Sequence, residues 1–269
     1  MHLEGPFFAP SKRGAHPLEH ICDPVDRMES VKSVYGTSEL GKCGVAMVTL
    51  APERKGALEV LEELAKMGVV VSMGHTEATL ESGKAAIGKG ATLITHMFNA
   101  MLPFHHREPA FFGLLAGCPT TPLQTKPYYS IISDGIHVHP TAISLARSVH
   151  PFGAVLITDG ISAMGLGGGG HSLGDTYVVV SGMRATVMGT DTLAGSVAPM
   201  DFCVQSYKRF TGCSAAEALR AVTLAPAKLL RIDHERGRLQ TNSVADLVML
   251  DDDLTVLATW VKGRQLFRH

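Results

Sequence analysis

Two short apolar runs, each stopping at a histidine, constrain this chain more than any other feature of it. Residues 69–73 and 91–95 have the length and β-branched content of buried strands. The first is closed by Gly74-His75 and the second by His96. Residues 77–87 between them read as a helix. Strand, helix and strand in that order make a crossover unit, and a crossover of this length suits parallel strands. Parallel neighbours bring their C-terminal ends to one edge of a sheet, so His75 and His96 are expected to face one spot. Two imidazoles meeting there are candidate ligands for a borderline metal such as zinc. A strand-end histidine taken singly more often bonds loop backbone. The repeated placement favours a metal.

The same alternation runs through the first half of the chain. A strand end at His2–Glu4 is closed by Gly5-Pro6, and a loop through Lys12-Arg13-Gly14-Ala15-His16-Pro17 follows. One helix is expected within 18–42, a strand at 45–50, and a helix at 57–67 ended by Gly68 as its C′ residue. Residues 102–127 read as one long loop, a length that usually carries function. A strand at 128–133 leads to a helix at 141–149 with Pro140 at its first position, then to a strand at 154–158. After Asp159 the pattern changes. A glycine-rich turn at 165–170 precedes a hairpin around Gly182. Ser214 and Glu217 form a capping box for a helix from Ala215. A short helix is expected at 223–230, and the tail holds strands at 244–250 and 256–261.

That makes six strand–helix strands, where a closed barrel of this kind needs eight. The reading is α/β: a (β/α)8 TIM-type barrel, incomplete with about six strands, over residues 1–236, and part of a small β-sandwich over 237–269. No further strand–helix unit follows Asp159, so the other two strands are expected to precede Met1. Unpaired sheet edges predict low solubility and weak or absent activity for residues 1–269 alone.

Composition narrows the function classes. Of 269 residues, 45% are hydrophobic and 18% charged, which suits a buried parallel sheet and excludes a disordered chain. The net charge of −1 comes without a basic block, so nothing points to nucleic acid. No apolar run reaches membrane-spanning length and no signal peptide opens the chain. The five cysteines, 22, 43, 118, 203 and 213, form no CxxC pair. Free thiols in a reducing, cytoplasmic setting are the simplest reading.

The chemistry collects at the strand ends. Glu4, His75 and His96 supply a carboxylate and two imidazoles, a donor set that leaves a position open for water. Asp159 is the unpaired carboxylate for base and acid work on that water. With Gly160 behind it, it also reads as a turn aspartate. His105-His106-Arg107 could meet an anion or simply be solvated. Gly83-Lys84 lacks the upstream glycine of a P-loop, and 165–170 opens no helix, so neither is a nucleotide fingerprint. No Gly-x-Ser-x-Gly elbow is present and no cysteine sits beside a base, which disfavours covalent catalysis.

At HLEGPF, VTLAPE, GHTEAT, THMFNAMLPFHHREP, SDGIHVHP, ITDGISAMG and LAGSVAPM, in that order, the chain resembles the N-acetylglucosamine-6-phosphate deacetylases of the amidohydrolase superfamily. The resemblance runs from His2 to about Gly263. It implies a hydrolase dependent on a divalent metal, zinc being the favoured ion. Such an enzyme converts N-acetyl-D-glucosamine 6-phosphate to D-glucosamine 6-phosphate and acetate. It implies metal ligands at Glu4, His75 and His96 and an acid/base at Asp159. Substrate contacts are implied at Ala15, His16, Asn99, Ala100, Arg107, His137, Leu193, Ala194 and Gly195, with Arg107 and His137 as candidate phosphate partners. It further implies a barrel with a small β-sandwich, a homodimer when full length, and amino sugar catabolism in the cytoplasm. Two other readings stay open: an inactive fragment of such an enzyme, or an amidohydrolase acting on a cyclic amide. The paired-histidine motif and carboxylated lysine common in the latter are not visible.

Overall fold

The computed structural model describes residues 1–117, 123 and 125–269. The thiol expected at Cys118 and part of the 102–127 loop lie outside the described residues. Six parallel strands form one sheet in sequence order: β1 (His2–Glu4), β2 (Met47–Leu50), β3 (Val70–Met73), β4 (Ala91–Ile94), β5 (Tyr128–Ile132) and β6 (Ala154–Ile157). The helices α1 (Met28–Tyr35), α2 (Ala57–Lys66), α3 (Leu80–Gly88), α4 (Ala110–Ala116) and α5 (Pro140–Val149) lie in the connections. This is an incomplete (β/α)8 barrel. Among the described residues, β1 and β6 each pair with a single neighbour.

The period of two along each strand decides what faces where. Val48, Leu50, Val71, Met73, Ile94, Ile131 and Leu156 belong to one core with Leu61, Leu64, Ile87, Leu114 and Ile143 of the helices. Their sequence neighbours Val70, Leu93 and Val155 point to the other face and form a second cluster with Ala225 and Leu229. One step along on that inner face are hydroxyls: Thr49, Ser72, Thr95 and Ser130, all buried. Thr49 Oγ1 lies 2.8 Å from His2 Nε2 and 3.0 Å from Thr95 Oγ1, which also meets Ser72 Oγ. Both faces are thus covered, as a parallel sheet requires.

Beyond β6 the chain builds two antiparallel sheets. The first joins β7 (Gly169–Leu173), β8 (Thr176–Ser181) and β9 (Arg184–Val187). The helices α6 (Met200–Thr211), α7 (Ala215–Arg220) and α8 (Leu224–Leu229) follow. The last sheet joins β10 (Leu247–Leu250), β11 (Val256–Val261) and β12 (Arg264–Arg268).

Several expectations are corrected. The stretch 102–127 is not one loop: α4 lies in it, burying Phe111, Leu114 and Leu115 against the core. Pro109 precedes that helix and Gly113 interrupts it, and together they mask its helical spacing. The helix expected at 77–87 starts three residues later, because Thr79 caps it by accepting the Ser82 N–H. Gly169 and Gly170, expected in a turn, pair with Val180 and Val179 as part of β7. The helix α6, between Pro199 and Gly212, and the strand β12 have no counterpart in the reading above.

Candidate active site

Three strand ends hold the candidate donors. Glu4 ends β1, and His75 and His96 lie two residues beyond β3 and β4. Both histidines have left-handed backbone, φ 51° and 30°. That conformation is costly for a residue with a Cβ, so it persists only where the surroundings hold it. His75 is held on four sides. Its carbonyl accepts the Ala9 N–H (2.9 Å), and the next residue, Thr76, donates its N–H to the Ala100 carbonyl (3.0 Å). Thr76 Oγ1 and the Glu77 N–H donate to the two oxygens of Glu53, at 2.5 and 2.7 Å. The Phe8 ring stacks on the imidazole with centroids 4.1 Å apart. His96 donates its N–H to Ser130 Oγ at 2.8 Å.

The rings then converge. His75 Nδ1 donates to the Lys12 carbonyl at 2.7 Å, which leaves Nε2 a lone-pair nitrogen. That Nε2 lies 3.0 Å from His96 Nε2, and Glu4 Oε1 lies 3.2 Å from each. One donor atom from each residue falls within 4.8 Å of the others. Burial raises the Glu4 carboxyl, but hydrogen bonds and charge from His75 and His96 outweigh it and hold the group far below its ordinary range. Burial likewise lowers His96, and Glu4 outweighs it to move the ring upward. The cluster therefore favours a positive charge. Two imidazoles and a carboxylate, buried and converging, fit a borderline divalent cation.

Asp159 follows β6, also with left-handed backbone at φ 53°. Its carbonyl accepts the Ser196 N–H (2.8 Å), and Ile161 donates back to the Ser196 carbonyl (3.1 Å). Gly195 makes that approach possible. Its φ is 62°, and a Cβ there would sit 2.7 Å from the Asp159 carbonyl oxygen.

Around these residues lies a cavity of about 490 Å³. Twelve of the thirteen residues singled out from the sequence line it: Glu4, Ala15, His16, His75, His96, Asn99, Ala100, His137, Asp159, Leu193, Ala194 and Gly195. His16 sits edge-on to His75, with centroids 5.2 Å apart. Burial chiefly, then the His75 charge, lowers its pKa. Arg107 is the exception. It lies in a tight turn where His105 and Glu108 exchange backbone hydrogen bonds of 3.1 and 3.0 Å. The turn leaves Arg107 exposed, with its guanidinium on His106. The turn between β7 and β8 contributes Leu173, Gly174 and Thr176 to the wall, which the sequence reading did not name. The glycine run before it, read as a turn, was the signal. Glu53 and Asp134 were visible only as acids at strand ends; their hydrogen bonds to Thr76 and His137 needed the fold.

The Amidohydrolase family profile matches residues 1–266. The chain belongs to the amidohydrolase family. Over its whole length it is 46% identical to N-acetylglucosamine-6-phosphate deacetylase of Danio rerio, covering 65% of that protein. It is 45% identical to the Homo sapiens protein of the same name, covering 64% of it. The chain thus spans a little under two thirds of the length of these relatives. Among solved structures, a point mutant of the Mycobacterium smegmatis deacetylase in complex with N-acetyl-D-glucosamine 6-phosphate superposes with a TM-score of 0.88 at 36% identity. That match covers 98% of this chain and 67% of the other. As an amidohydrolase, the chain is expected to use a divalent metal, and Glu4, His75 and His96 are the donors that fit one. No helix of the described residues is long and apolar enough to cross a membrane.

Proposed function

We propose that this chain carries the active site of a deacetylase. It would hydrolyse N-acetyl-D-glucosamine 6-phosphate to D-glucosamine 6-phosphate and acetate. The observation that carries the reading is the meeting of Glu4, His75 and His96 in a cavity that Asp159 also lines. The named relatives give the substrate class. The bound cation is proposed to be zinc, on the chemistry of two imidazoles and one carboxylate.

An acetamide resists attack because its nitrogen feeds the carbonyl. A divalent ion, when bound, supplies Lewis acidity at that carbonyl and brings the pKa of water toward neutrality. The protein's own groups do the rest. Asp159 takes a proton from the attacking water and returns it to the amine, which must leave protonated. Gly195 and Ser196 fix the Asp159 backbone so that one carboxylate can serve both steps. His16, its ring pushed toward the neutral form chiefly by burial, lines the wall as a polar contact for the ligand. Asn99, Ala100 and the turn at 193–195 form further wall. Arg107, outside the cavity, takes no part in these steps as placed. Residues 1–236 would carry this chemistry, with 237–269 a separate small β unit. A homodimer and a cytoplasmic setting complete the reading and rest on the resemblance.

The test is acetate release from the zinc-loaded chain, with N-acetyl-D-glucosamine 6-phosphate, its galactose epimer and the unphosphorylated sugar side by side. Release is expected to be slow for residues 1–269 alone and fastest with the first. Faster release from the epimer or from the unphosphorylated sugar would overturn the proposal.

A further inference from the structure

His137 carries an unpaired nitrogen inside the cavity. Its Nε2 is buried and has no hydrogen-bond partner, its side chain is only 6% exposed, and the residue lines the cavity wall. The role open to Nε2 is decided at the other side of the ring. There Nδ1 lies 2.7 Å from Asp134 Oδ2. The Asp134 side chain is fully buried, and every group it meets is a donor. Oδ1 accepts the N–H groups of Ile136 (2.8 Å) and His137 (2.9 Å). Oδ2 also accepts Ser196 Oγ–H at 3.4 Å. Burial raises the carboxyl, but the hydrogen bonds from His137 and Ile136 outweigh it and hold Asp134 below its ordinary range. An ionised carboxylate only accepts. The proton of a neutral His137 ring must therefore sit on Nδ1, and Nε2 turns a lone pair toward the cavity.

We propose that Asp134 is a positioning residue that holds His137 as a hydrogen-bond acceptor, whose Nε2 reads a hydroxyl of the sugar substrate. The sugar's identity rests on the function proposed above; the hold of Asp134 on the ring does not. The lone pair finds no donor on a phosphate dianion, the main form of a phosphate monoester at neutral pH. To serve one, the ring would have to carry a proton on Nε2 as well as on Nδ1, and proton uptake on binding reads that directly. A sugar ring offers O–H donors, and an acceptor that is already desolvated and aimed costs little to use. Ser196 extends the arrangement. It donates from Oγ to Asp134 and from its backbone N–H to the Asp159 carbonyl. One buried serine thus sets the hydroxyl reader and the acid/base carboxylate in fixed relation.

The experiment is nitrogen-15 NMR of the histidines in the zinc-loaded chain, paired with binding of N-acetyl-D-glucosamine 6-phosphate and its single-deoxy analogues. Wild type is expected to show His137 with its proton on Nδ1 and to take up no proton on binding, measured by calorimetry in two buffers. Asp134→Asn presents an amide N–H to Nδ1, which moves the ring proton to Nε2. The variant should show that inverted signature and bind the sugar phosphate about 10- to 100-fold more weakly, the scale of one lost buried hydrogen bond. One deoxy analogue should lose the same factor in wild type and nothing further in the variant. A wild-type ring with its proton on Nε2 would overturn the proposal, as would uptake of about one proton on binding. A chain with the expected tautomer that binds no sugar phosphate would refute the proposed function and the hydroxyl assignment, while upholding the hold of Asp134 on His137.

Discussion

Replacing Gly195 by alanine should damage the site from a distance, and the size of the effect can be worked from two glycines. Gly195 (φ 62°) and Gly36 (φ 77°) both sit in the left-handed region. An alanine there costs about 1–2 kcal/mol, of which about 0.4–1 is returned by a stiffer unfolded chain. At Gly36, where nothing lies within 4 Å of an added Cβ, that is the whole cost. Gly36→Ala should therefore destabilise by no more than about 1.5 kcal/mol. At Gly195 the Cβ would also lie 2.6 Å from Ile161 Cγ2 and 2.7 Å from the Asp159 carbonyl oxygen, where ordinary contact begins at 3.4 Å. The Asp159 carbonyl must therefore give way by about 0.7 Å, and overpacking of that kind adds about 1–3 kcal/mol. The same movement displaces the proposed acid/base, and misplacement near 1 Å costs about 100-fold in rate. Calorimetric melting and acetate release measure the two effects. Gly195→Ala should melt well below Gly36→Ala and lose about two orders of magnitude in turnover, while Gly36→Ala turns over like wild type. If the two variants melt together and turn over alike, the close approach of Gly195 to Asp159 does not govern the site.

Other expected outcomes follow from the same geometry. His96→Ala removes one of three converging donors, so elemental analysis should find the stoichiometric metal gone together with the activity; full metal in the variant would refute the donor assignment. Asp159→Asn keeps the shape but cannot take a proton, so metal should stay bound while turnover falls by about 10²-fold or more; near-normal turnover would exclude the role. The lowered Asp134 carboxyl fixes a sign for pH dependence. A depressed folded-state pKa contributes stability above the unfolded value near 3.8 and loses it as pH falls below that. Melting temperature should therefore drop on acidification through that range, and Asp134→Asn should flatten the drop; an unchanged slope would show that Asp134 is not the group responsible.

The strand ends were legible because two periodicities meet there. An apolar run of four or five residues marks a buried parallel strand, and a polar residue closing it marks the edge where ligands bind. That logic placed Glu4, His75, His96 and Asp159 on one edge, and the fold brings all four to one cavity. Elements whose local pattern is broken were not legible. Pro109 and Gly113 hide α4, whereas α6 went unread although Met200, Cys203, Val204 and Tyr207 keep helical spacing. Arg107 illustrates another limit. Its motif is intact, but a two-residue turn closed by the His105–Glu108 bridge decides its direction, and no spacing rule reports that. The buried hydroxyls were in plain view as Thr49, Ser72, Thr95 and Ser130. Thr49, Ser72 and Ser130 each interrupt an apolar strand and Thr95 directly follows β4, but their convergence depends on register between strands.

Backbone strain connects this fold to its chemistry. Among the described residues, eleven non-glycine positions have positive φ, and four of them, His75, His96, Ala100 and Asp159, line the one cavity. A strand that continued straight would carry its next side chain away from the barrel axis. A left-handed residue at the strand end turns the chain back, so that the side chain projects over the sheet edge. Each such turn costs about 1–3 kcal/mol, and each is held by a dedicated contact. Glu53 grips the peptide after His75, Ser130 accepts the His96 N–H, and Ser196 with Gly195 closes on Asp159. These supports are not ligands, yet removing one should relax a strained donor before it unfolds the sheet. Metal affinity and turnover should therefore fall further than stability when Glu53 or Ser130 is truncated. The opposite order would mean that these hydrogen bonds serve the fold alone.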